Sequence, residues 1–209
     1  MKITITKDFR GLKKDTIYSF IKNEINIIVG DNGSGKSSLL MALRNYYKIN
    51  SKNYMVSKLK DISVNETFDE AFAYDSYLDD PKGASMIDMD LFLMNGGMQT
   101  LHKSNGETTF IKLVLMFKDV SKVYGKDILI ILDEPERGLS FKNKLFLIDI
   151  IKHINMRHKV TFIISTHDTM FMELNESMLN IENNKIVNEL EYKKYLVKKL
   201  IKERDGKDI

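Results

Sequence analysis

Cysteine is absent from the 209-residue chain. That excludes disulfides, thiolate metal sites and cysteine nucleophiles, and it fits a reducing compartment. Charge of one sign is also missing. Thirty-two Lys and Arg against 29 Asp and Glu leave a formal net charge of +3, so bulk electrostatics do not demand a nucleic-acid partner. No apolar run approaches the roughly 18 residues that span a bilayer. The opening Met1-Lys2-Ile3-Thr4-Ile5 alternates like a strand and lacks the apolar core of a secretory signal, so a cytoplasmic protein is expected. There is no internal repeat. His102, His153 and His158 have no zinc-like spacing. No G-x-S-x-G signature marks a serine hydrolase.

What remains is ordinary for a globular domain, with 43% hydrophobic and 29% charged residues, and one stretch dominates it. Ile27-Ile28-Val29 runs into Gly30-Asp31-Asn32-Gly33-Ser34-Gly35-Lys36-Ser37-Ser38, and Leu39, Leu43 and Tyr46 then recur at helical spacing. Gly30, Gly35, Lys36 and Ser37 fill the fixed positions of the G-x-x-x-x-G-K-[ST] phosphate-binding loop. The glycines let backbone N–H groups turn inward around a polyphosphate, and the following helix aims its positive end at the same charge. In that arrangement Lys36 reaches the β- and γ-phosphates and the Ser37 hydroxyl ligates magnesium, so ATP and Mg²⁺ are the expected ligands.

Two further apolar runs end in polar residues. Ile128 to Leu132 reads as a central parallel strand ending at Asp133-Glu134-Pro135-Glu136, and Val160 to Ile164 as another ending at Ser165-Thr166-His167. Between them Ser140 caps a helix with Leu145, Ile148, Ile151 and Ile154 on one stripe. Strand, helix, strand implies a parallel crossover. In such sheets ligands bind beyond the carboxyl ends of the strands, which gathers the phosphate loop, Asp133, Glu134 and His167 around one nucleotide. Asp133 suits magnesium, Glu134 a general base and His167 a γ-phosphate contact.

Elsewhere the signal is weaker. Ile3 and Ile5 mark a half-buried strand, Thr16 to Phe20 a second, and Leu179 to Ile181 with Lys185 to Val187 a hairpin around Asn183-Asn184. Phe68, Ala71, Phe72 and Ala73 fit strand or helix equally. Met86, Met89, Leu93 and Met94 suggest a core face, and Phe110 to Val123 a helix ending near Gly125. The last helix carries Tyr195, Leu196, Leu200 and Ile201 among many lysines. Those lysines read as a solvated face or as phosphate contacts.

Taken together, these motifs resemble the ATP-binding cassette (ABC-type) ATPases. Gly30 to Leu39 resembles their Walker A, Ile128 to Glu134 their Walker B with the catalytic glutamate directly following, and Ile164 to His167 their switch-histidine loop. Ser104-Asn105-Gly106-Glu107 resembles the signature motif in the S-x-G-E form of the SMC, RecF and RecN branch. Phe9-Arg10-Gly11 resembles the turn before the phosphate loop in that branch. The loop Arg137-Gly138-Leu139-Ser140 departs from the family in its serine, and the only glutamine, Gln99, lies too late for a Q-loop, leaving Asp75 as a candidate in its place.

The resemblance implies a P-loop α/β three-layer fold with an N-terminal antiparallel β-subdomain and an inserted, mainly helical signature subdomain. It implies a nucleotide-binding core over residues 1–47 and 126–189, an insertion over about 48–125 and a basic C-terminal helix over 190–209. It also implies hydrolysis of ATP by a head-to-tail homodimer in which Ser104 and Gly106 of one chain close over Lys36 of the other. The expected role is a stand-alone head in DNA maintenance or defence. A membrane transporter's nucleotide-binding subunit, docked to a permease, and a regulator of an effector protein are the alternatives.

Overall fold

The computed structural model describes residues 1–49, 61–76, 79 and 105–205. Nine strands and five helices occur among them: β1 Lys2–Ile5, β2 Ile17–Ser19, β3 Ile25–Val29, α1 Lys36–Tyr46, β4 Ile62–Val64, β5 Glu70–Asp75, α2 Asn105–Val120, β6 Ile128–Asp133, α3 Phe141–Arg157, β7 Val160–Ser165, α4 Thr169–Met172, β8 Met178–Asn180, β9 Lys185–Val187 and α5 Glu189–Asp205. Six strands form one sheet in the order β5-β6-β7-β3-β8-β9, parallel except for the β8–β9 hairpin. A second, antiparallel sheet has the order β2-β1-β4.

The near-continuous apolar runs are explained by burial on both faces of the large sheet. Ile128, Ile130 and Leu132 point into a core shared with α2, α3, α4 and Tyr192 of α5. Leu129 and Ile131 point the other way, into a core shared with α1 and the antiparallel sheet. Ile27 and Ile28 of β3 divide in the same manner. The result is the three-layer α/β fold expected from the motifs, with the N-terminal antiparallel sheet in place.

Three details add to the expectations. Residues Ile62–Val64 and Glu70–Asp75, within the span read as an insertion, join the two sheets. Only Tyr74 of β5 is fully buried, and the strand therefore lacks the alternation that would have separated it from a helix. In α3 the buried stripe is Leu147, Ile148, Ile151 and Ile154, while Leu145 faces out at 46% exposure. Finally, α2 begins at Asn105, a full turn before the apolar run. The expectations on Met86, Met89, Leu93, Met94, Gln99 and Ser104 lie outside the described residues.

Candidate nucleotide site

The site forms where β3, β6 and β7 end side by side. Residues 30–35 leave β3 through Gly33 (φ 78°) and Gly35 (φ 101°), and α1 starts directly after Gly35 with no side-chain cap. Left-handed φ values of this size suit glycine. A Cβ on Gly35 would also lie 2.8 Å from Leu12 Cδ2, and one on Gly30 would meet Ser34 Oγ at 2.7 Å and Ile181 Cγ2 at 2.8 Å. The tight loop thus follows from its neighbours as well as its dihedrals.

Lys36 is 5% exposed, and its Nζ donates to the carbonyls of Gly30 at 2.8 Å and Asp31 at 3.0 Å. Burial lowers its pKa, against the opposing pull of Glu134, Asp133 and Asp31. The ammonium is therefore held by the loop's own oxygens, at a place where anionic oxygens are the natural partner. Ser38 Oγ donates to the Arg10 carbonyl at 3.1 Å, which ties the Phe9-Arg10-Gly11 turn to the start of α1.

At the end of β6, Asp133 is 2% exposed and accepts a hydrogen bond from Ser165 Oγ, one strand over. Burial raises its pKa, while hydrogen bonds from Ser165 and Ser37 act in the opposite direction. The Ser37 hydroxyl and the Asp133 carboxylate thus lie against each other. Glu134 follows with φ 48°, a conformation that costs a non-glycine residue about 1–3 kcal/mol. Its amide is fixed by the Ser165 carbonyl at 3.1 Å and Ser165 Oγ at 3.3 Å. The effect is to turn the Glu134 side chain out of the strand's alternation, toward His167, whose Nε2 stands 3.6 Å from Glu134 Oε1. That separation exceeds a hydrogen bond. Burial, followed by the nearby Lys36 charge, lowers the His167 pKa.

Beneath this pair lies a group that the sequence reading left without a role. Glu136 is 8% exposed, and its Oε1 accepts from Thr166 Oγ1 at 2.6 Å and from the His167 amide at 3.2 Å. Its Oε2 is buried with no hydrogen-bond partner among the described residues, and burial raises the pKa of the carboxyl. Glu136 therefore holds the strand end that presents His167. Its place two residues after Glu134 was the available signal. At the other edge, Asp75 ends β5 in register with Asp133. Arg44 of α1 and Lys112 of α2 both bond Asp79, and Asp79 accepts from the Asp75 amide.

Arg10, residues 32–38, Met41, Asp75, Asp133 and Glu134 line one cleft of about 590 Å³. Asn32, Gly33, Ser34, Gly35, Lys36, Ser37, Ser38, Asp133 and Glu134 are so brought together, with His167 beside Glu134 and with Gly30 and Asp31 bound through Lys36. Gly106 belongs to the first turn of α2, and Ser104 is outside the described residues. Among the described residues no three acidic or histidine side chains form a metal cage. Magnesium on a nucleotide needs only one or two protein oxygens besides phosphate and water, and Ser37 with Asp133 fits that demand.

Comparison with solved structures shows the fold. The dimeric post-hydrolysis state of the ATP-binding cassette MJ0796 bound to ADP and Pi superposes with a TM-score of 0.54 at 13% identity, over 88% of this chain and 95% of that one. Stu0660 of Streptococcus thermophilus gives 0.52 at 12% identity, over 90% and 76%. The chain therefore has the ATP-binding cassette fold. Among curated proteins, the zinc import ATP-binding protein ZnuC of Agrobacterium fabrum is 28% identical over 180 residues, 78% of this chain. The match spans 56% of that relative's length. No family model matches the chain.

Proposed function

We propose that the protein binds Mg²⁺-ATP and hydrolyses it. The observation that carries this is the convergence, in one cleft, of a glycine-shaped loop around Lys36, the Ser37–Asp133 pair, and Glu134 turned toward His167. Lys36 and the loop amides hold the triphosphate. Ser37 and Asp133 would hold a magnesium ion, which would supply positive charge against the phosphates. Glu134 takes a proton from water as the water oxygen bonds to the γ-phosphorus. The bond from that phosphorus to the β–γ bridging oxygen breaks, giving ADP and phosphate. His167, beside Glu134 and with its amide held by Glu136, would contact the γ-phosphate.

Glu134→Gln should reduce turnover by about 10²–10⁴-fold while leaving ATP binding intact. ATP with Mg²⁺ should then convert the variant from monomer to the head-to-tail dimer on a sizing column, because hydrolysis no longer separates the two copies. Turnover equal to the parent's would overturn the assignment of the base. A monomer with ATP bound would overturn the dimer.

Two partner readings remain. The identity with a zinc-import ATP-binding protein supports a membrane permease as partner. Among the described residues no helix is long and apolar enough to cross a membrane. The S-x-G-E form of residues 104–107 and the Phe9-Arg10-Gly11 turn support the SMC, RecF and RecN branch, and with it DNA. The ZnuC match moves the balance to the permease. Co-purification of a multi-span membrane protein would support that reading, and ATPase stimulation by duplex DNA that fades with salt would reverse it.

A further inference from the structure

The basic C-terminal helix is joined to the phosphate loop. Lys199 Nζ donates to Asp31 Oδ2 at 2.7 Å and to Glu182 Oε2 at 2.9 Å. Tyr195, one turn earlier on α5, donates from its hydroxyl to the same Glu182 Oε2 at 2.8 Å. The other oxygen, Glu182 Oε1, accepts from the Asp31 amide at 2.7 Å. Glu182 is in turn fixed by Asn180 Oδ1 on its own amide at 3.1 Å, and neighbouring Ile181 donates to the Val29 carbonyl at 3.0 Å. The second residue of the phosphate loop is thus gripped on its amide and its carboxylate by groups that lead to α5.

Chemically this is an odd place for carboxylates. Asp31 and Glu182 lie close enough to Lys36 to act on its charge, so the same two anions add negative charge beside the lysine that would meet a triphosphate. Lys199 neutralises both. Although burial pushes Glu182 up, the Asp31 amide, Lys199 and Tyr195 together hold it below its ordinary value. The Lys199 pKa is raised by its bonds to Asp31 and Glu182. Both shifts favour the charged forms of Glu182 and Lys199.

We propose that Lys199 is a positioning residue for the nucleotide. By neutralising Asp31 and Glu182 and fixing the start of the phosphate loop, it lets α5 set triphosphate affinity. The proposal rests on the ATP-binding reading above. Because Lys199 touches the loop and not the reacting atoms, its loss should weaken binding and leave the chemical step alone.

The test is the dissociation constant of a fluorescent ATP analogue with Mg²⁺, measured beside the steady-state ATPase. Lys199→Ala should raise the constant about five- to tenfold, with kcat within about twofold of the parent. Lys199→Arg should stay near the parent. Adding Glu182→Gln to Lys199→Ala removes one uncompensated anion and should recover part of the loss. The deficit should shrink between about 0.05 and 0.5 M salt, since screening lengths fall to a few ångströms. Lys193→Ala, whose partner Glu189 lies on the same helix, is the control and should change nothing. Equal affinity of Lys199→Ala and parent, or an equal loss in Lys193→Ala, overturns the proposal while the ATPase reading stands. A parent that fails to bind the analogue overturns both.

Discussion

The two halves of the site are built on opposite principles. Its floor, at the ends of β6 and β7, is built of two buried hydrogen-bonded pairs, Ser165 with Asp133 and Thr166 with Glu136. Its mouth, the phosphate loop, is shaped by glycine dihedrals, with Asp31, Asn32 and Gly33 exposed. Where water is excluded, every polar group needs a named partner. Where water is present, backbone conformation carries the shape and charge acts through a screened medium. Damage to the floor should therefore strike chemistry and stability together, whereas damage to the mouth should strike affinity.

Among changes to the buried floor the largest expected effect comes from Asp133→Asn, which should reduce hydrolysis by about 10²-fold or more. It also exposes what the floor costs. Burial holds the folded pKa of Asp133 above its unfolded value. The folded state then binds more protons than the unfolded one between those two values, so stability from this group is present at low pH and lost as pH rises through the folded pKa. Urea midpoints of nucleotide-free parent and variant, taken from about pH 4 upward, should diverge, the parent losing ground to Asp133→Asn as pH rises. Parallel curves would mean that the floor is not under this electrostatic load.

Next is Ser165→Ala, which removes the hydroxyl that donates to Asp133 and lies 3.3 Å from the Glu134 amide. A buried carboxylate left short of a donor costs about 1–3 kcal/mol, read as a lower urea midpoint. Hydrolysis should fall with it, since Ser165 also helps set the φ of Glu134. Unchanged turnover would show that the Ser165 carbonyl alone suffices.

How far this contrast was legible beforehand follows the same division. Motifs that depend on local spacing, Gly30 to Ser38 and Asp133-Glu134, could be read because their geometry is built from neighbours in the chain. The three-layer fold was readable because Ile128 to Leu132 and Val160 to Ile164 are apolar on both faces. Glu136 could not be assigned a role, because that depends on Thr166 and His167 lying just past the end of the neighbouring strand. Lys199 was hidden for the same reason, its partner Asp31 being 168 positions away. The strand at Glu70–Asp75 escaped because an edge strand with a single fully buried residue carries little periodicity.

Gly35→Ala tests the mouth. A Cβ there meets Leu12 at 2.8 Å, and φ is 101°, so about 1–2 kcal/mol of stability should go together with most nucleotide affinity. Gly33→Ala is the comparison, with φ 78° and open space around the Cβ. It should cost only the dihedral strain. If both variants bind nucleotide equally well, contact with Leu12 does not shape the loop.

The smallest effect separates a floor residue from an ion pair at its edge. Lys144 of α3 bonds Asp168 at 2.6 Å, just after His167, and both side chains are partly exposed. Asp168 has a second task, capping α4 by accepting from the Met170 amide at 2.9 Å. Lys144→Ala leaves that cap in place, and screened pairs of this kind contribute about 0–1 kcal/mol. Its thermal midpoint and turnover should stay close to the parent's. Asp168→Ala loses both the pair and the cap, and should cost about 0.5–2 kcal/mol with some loss of turnover as His167 loosens. If Lys144→Ala proved the more damaging of the two, the ion pair rather than the cap would be what steadies His167, and the floor would have to be extended to the Lys144 ammonium.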